Sequence, residues 1–228
     1  MVEAMNYIAS SQFVLQQGIV KKDLAFYHYK GPYTIAAERD GGDLRAHEYL
    51  SPANFVSENL KIQGKVLDPA GAGYRALVLD QQQFITPEAA TRLSKLAATE
   101  LAIVVVGALP STTIGSKGQD IVSKSMSILE RSKYPNVSFV KSTKDIFQAL
   151  DKLSIQPRVK TTSQSTSAAK DLYTVWRSTS DSDYLFLYDK GPSATFDVAA
   201  EVWENKAPYQ LNAWTGQQEA IAVCQRLS

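Results

Sequence analysis

Both histidines of the chain, His28 and His47, fall in one stretch, FYHYKGPYTIAAERDGGDLRAHEY, which runs from Phe26 to Tyr49. The same stretch holds Tyr27, Tyr29, Tyr33 and Tyr49, with Arg39 and the acids Glu38, Asp40, Asp43 and Glu48. Imidazole titrates near neutral pH and moves protons when a carboxylate orients it, so His28 and His47 with Asp40 or Asp43 form a candidate acid–base set. Tyrosine rings can stack on a sugar-like or polycyclic ligand while charged groups orient it, which makes Tyr27, Tyr29, Tyr33, Arg39 and Tyr49 candidate ligand contacts. The structural alternative is a solvated strand-to-helix loop in which Tyr27 and Tyr29 simply alternate across a sheet. Asp80 joins the candidates because it ends an apolar strand pattern, where it either faces a ligand or caps the turn into Gln81–Gln83.

Other motifs carry less chemistry. The segment GALPSTTIGSKGQ (Gly107 to Gln119) resembles a phosphate cradle, but its spacing fits neither GxGxxG nor GxxxxGK[ST], and a strand-to-helix connection explains it. The GAG at Gly71–Gly73 precedes its strand and is a turn. Cys224, the single cysteine, lies in an apolar strand pattern without a flanking histidine, as a buried structural thiol would. Asn136-Val137-Ser138 fits a glycosylation acceptor only in a secreted protein. Trp176, Trp203 and Trp214 can form an aromatic platform for a ligand, with Trp176 the candidate contact, or pack a small sheet.

The elements that must position these residues follow from hydrophobic periodicity. Short apolar runs alternating with helical periods from Lys22 to about Gln156 predict an α/β domain with a parallel sheet. The expected strands are Asp23 to Tyr29, Tyr74 to Leu79, Leu101 to Gly107 and Val137 to Lys141, and ligands of such sheets sit beyond the strands' carboxyl ends. One helix follows Thr86, with Thr86 as cap, Pro87 in the first turn and Ala89, Ala90, Leu93, Leu96 and Ala97 as its apolar stripe. Further helices are expected over Gln119 to Ser132 and Ser142 to Leu153. RVKTTSQSTSAAK (Arg158 to Lys170), rich in Ser and Thr and without an acid, reads as a linker or loop. Beyond it, DLYTVWRST and DYLFLYDKG form a hairpin, and two more strands flank the turn at Thr215 and Gly216. The division is residues 1–156 as an α/β domain with a leading helix, 157–170 as linker or loop, and 171–228 as a small carboxyl-terminal antiparallel β unit.

Composition bounds the function. The 228 residues are 44% hydrophobic and 21% charged, with a net charge of +1. No uniform field exists to hold nucleic acid or an anionic membrane. The longest strongly apolar run, Leu101 to Leu109, is far below the roughly 20 residues that span a bilayer. One cysteine excludes an internal disulfide and a multi-cysteine metal site, and a reducing cytosol fits. No metal or cofactor motif is present. A small-molecule ligand is the expected partner, and self-association into a homo-oligomer stays open.

Four strings resemble one family in order along the chain: SQFVLQQG (Ser11 to Gly18), DPAGAGYRALVLD (Asp68 to Asp80), TPEAATRLSKLAATELAIVVVG (Thr86 to Gly107) and APYQLNAWTGQQEAI (Ala207 to Ile221). They are similar to the region after the catalytic barrel of the large α-L-rhamnosidases of glycoside hydrolase family 106. The resemblance implies a flavodoxin- or glutamine-amidotransferase-like parallel sheet followed by the start of a β-sandwich. The family's catalytic carboxylates lie in its barrel, which has no counterpart here, so none transfers to a residue of this sequence. Two functions follow as expectations. One is a stand-alone protein that binds a glycoside-like or polycyclic metabolite and catalyses a cofactor-independent cyclisation or isomerisation. The other is a non-catalytic carbohydrate-binding or accessory fragment, secreted if its parent hydrolase is.

Overall fold

The computed structural model describes residues 2–29, 44–115, 117–161, 172–191, 195, 197–201 and 207–221. In chain order these form α1 (Val2–Gln16), β1 (Ile19–Lys21), β2 (Leu24–Tyr27), β3 (His47–Leu50), α2 (Pro52–Val56), β4 (Ile62–Gln63), β5 (Val66–Leu67) and β6 (Ala76–Asp80). Then follow α3 (Pro87–Ala97), β7 (Ala102–Val106), α4 (Gln119–Ser132), β8 (Val137–Val140) and α5 (Ile146–Lys152). The last elements are all strands: β9 (Val159–Thr161), β10 (Leu172–Ser178), β11 (Asp183–Asp189), β12 (Val198–Ala200), β13 (Tyr209–Leu211) and β14 (Gln218–Ala220).

Five strands make a parallel sheet in the order β3-β2-β6-β7-β8. Counted within the sheet this is 2-1-3-4-5, the flavodoxin-like arrangement whose strand order reverses between its first and third strands, here β2 and β6. The central strands are buried on both faces, which is why LAFY, ALVL and AIVVV are continuous apolar runs. One face packs on α3 and α4 through Leu77, Leu79, Ile103, Leu93 and Leu129. The other carries Phe26, Val78, Val104 and Val106 against Ile146 and Leu150 of α5.

Local chemistry sets the helix boundaries. Thr86 accepts from the Ala89 amide at 3.2 Å and Pro87 occupies the first turn, so α3 begins where the sequence places it. Ser142 and Asp145 form a reciprocal capping box over a 3-10 turn, Thr143–Asp145, that leads into α5. Gly118 starts α4 at φ 84°, where an added Cβ would lie 2.4 Å from Pro87 Cγ. Only glycine permits both that conformation and that approach.

Two features depart from the expected layout. The stretch from Phe26 to Tyr49 is not one loop, because His47–Leu50 is the edge strand β3, paired in parallel with Leu24–Tyr27. The leading segment also does not stay with the parallel sheet: β1 pairs antiparallel with β10, which pairs with β11. Strand β9 pairs with β12, and β13 with β14. No helix among the described residues is long and apolar enough to cross a membrane.

Candidate functional site at the carboxyl edge of the sheet

Register decides which sequence candidates meet. Phe26 pairs with Val78 and with Tyr49, all on the α5 face. Side chains alternate, so two residues onward the same face carries His28 after β2 and Asp80 at the end of β6. The His28 and Tyr49 rings lie edge to face at 5.5 Å, and burial together with the Asp80 charge pushes the Tyr49 hydroxyl above its ordinary range. His28, itself buried at 8% exposed, thus lies with Tyr49 and Asp80 on one face at the switch between β2 and β6, the place where doubly wound sheets bind ligands. His47 sits one step toward the amino edge, opposite Leu24, with its ring 5.4 Å from Phe26 and 5.8 Å from Tyr49.

The same alternation sends the neighbouring tyrosines to the other face. Tyr27 is fully buried with its ring 5.2 Å from Phe55, and desolvation pushes its hydroxyl far up. Tyr29 packs at the rim of that core, 6.1 Å from Phe84. Tyr27 and Tyr29 thus take the alternating arrangement that the sequence offered as the structural alternative, with Tyr27 1% exposed. Trp176 takes the packing alternative named for it. It is 6% exposed in a core with Leu44, Val159 and Leu172, its indole N–H donating to Ser178 and Asp183. Trp214 stays exposed and stacks on Tyr7 of α1 at 4.4 Å. Tyr33, Glu38, Arg39, Asp40, Asp43, Trp203 and Cys224 lie outside the described residues.

Asp80 is fixed rather than free to rotate. Its Oδ1 accepts from Thr143 Oγ1 at 2.9 Å, and that hydroxyl oxygen accepts in turn from Gln81 Nε2 at 3.2 Å. Desolvation raises the Asp80 carboxyl above the ordinary carboxylate value, opposed by the Thr143 bond. Gln82, which sequence reasoning assigned only to a turn, clasps the two strand ends. Its Oε1 accepts from the Tyr29 amide at 3.0 Å while its Nε2 donates to the Asp80 carbonyl at 3.0 Å. Thr143 was equally hidden from the sequence, because its contact with Asp80 spans 63 positions.

The remaining motifs are structural. Gln119 pins the loop after β7, accepting from the Thr113 amide and donating to the Ser111 carbonyl. The Asn136 amide donates to the carbonyls of Ala97 and Leu101, which engages the nitrogen that glycosylation would need. At the turn Gly71–Gly73, the Gly71 and Gly73 amides donate to the Asp68 carbonyl. Among the described residues no group of three or more His, Cys, Asp or Glu gathers as a metal site.

Comparison with known proteins places this architecture. No curated protein matches the chain. A solved rhamnosidase from Novosphingobium sp. PP1Y superposes with a TM-score of 0.74 at 21% identity over 96% of this chain. That likeness is one of fold, and the chain spans 22% of the length of that rhamnosidase. The glycoside hydrolase family 106 model, described as alpha-L-rhamnosidase, matches residues 2–225. With the match running over nearly every residue, through both the parallel sheet and the antiparallel strands, this chain belongs to glycoside hydrolase family 106.

Proposed function

We propose that this chain is a non-hydrolytic module of the family 106 architecture that binds a small glycoside-like molecule at the carboxyl edge of its parallel sheet. The observation that carries this is the placement of His28, Tyr49 and Asp80 on one face at the switch between β2 and β6. An anchored carboxylate beside aromatic rings is a combination that holds hydroxyl groups and packs against an apolar sugar face.

Hydrolysis asks for more. It needs two carboxyl groups roughly 5–10 Å apart across the scissile bond. Among the described residues, Glu48 accepts from the Tyr74 hydroxyl at 2.7 Å and Asp145 accepts from the Ser142 amide. A cofactor-independent cyclisation or isomerisation at the same edge has one observation in its favour, the raised Asp80 carboxyl, which suits a group that carries a proton.

The purified chain, incubated with 4-nitrophenyl α-L-rhamnoside, should release no nitrophenol above the buffer blank. Release that tracks the protein through purification and vanishes in Asp80→Asn would assign hydrolysis to this chain and overturn the proposal.

A further inference from the structure

We draw no further inference here: the strongest candidate, the exposed apolar side of α1 formed by Val2, Met5 and Phe13, is an unpartnered helix face, and nothing in the structure shows what covers it.

Discussion

Asp80 ends a strand of buried aliphatic side chains, and the desolvation that lifts its carboxyl above the ordinary 3.8 has a consequence for stability. A raised value in the fold means the native state holds that proton more tightly than the unfolded chain does. The stability contributed by the proton is complete below the unfolded value and is lost as pH rises through the folded one, so ionised Asp80 is a cost at neutral pH. Asp80→Asn should therefore raise the urea midpoint at pH 7, with the gain shrinking toward pH 4, while glycoside affinity falls. A lower midpoint at pH 7 would mark Asp80 as a structural anchor instead of a binding group. The sequence made His28, Tyr49 and Asp80 visible as chemical types at one edge of a sheet. It could not show that Tyr27 and Tyr29 leave that group, because which face each side chain takes depends on where β2 starts and on its register with β6.

At the scale of elements, α3 carries the α/β packing, with Ala89, Ala90, Leu93, Leu96 and Ala97 all buried against the sheet and α4. Its start depends on one side-chain bond, from the Ala89 amide to Thr86 Oγ1. Thr86→Ala should cost about 1 kcal/mol in denaturant unfolding, the usual loss for an N-cap. A loss above about 3 kcal/mol would assign Thr86 a larger role, for instance beneath the buried Tyr27 hydroxyl, whose environment includes the Thr86 backbone. The long elements were legible because each carries a full apolar stripe or run: α3, α4, β6 and β7 lie within a residue or two of where periodicity places them. Strand β3 was not, since His47-Glu48-Tyr49-Leu50 is an edge strand with a single buried aliphatic residue and no run to detect. Strand β1 is three residues long, and its pairing with β10 is written in contacts more than 150 positions apart, which no local pattern reports.

The whole molecule has two unlike edges. The amino edge of the parallel sheet is closed by charge: Asp23, 2% exposed, accepts from the Ala46 amide and from Arg158 Nη1 at 2.8 Å. The same guanidinium donates to the carbonyls of Lys22 and Gly73, and Arg75 pairs with Glu201 beside it. Arg45, also buried, is tied to Asp151 and to the Ile155 carbonyl at the end of α5. These ties join β9 and β12 to the sheet and place the buried charges Asp23 and Arg45 in packing, because a buried ion without its partner costs several kcal/mol. Among the described residues, Asp80 at the carboxyl edge makes one side-chain hydrogen bond, through Oδ1, and that contrast is the reason to seek the ligand there. Amide chemical-shift mapping of the whole chain, titrated with a methyl glycoside, measures this directly. The expected result is a set of perturbations centred on Gln81, Gln82, Gly107 and Thr143, with the amides around Asp23 and Trp214 unmoved. Perturbations centred on Tyr7 and Trp214, or none at millimolar glycoside, would contradict a binding site at the carboxyl edge.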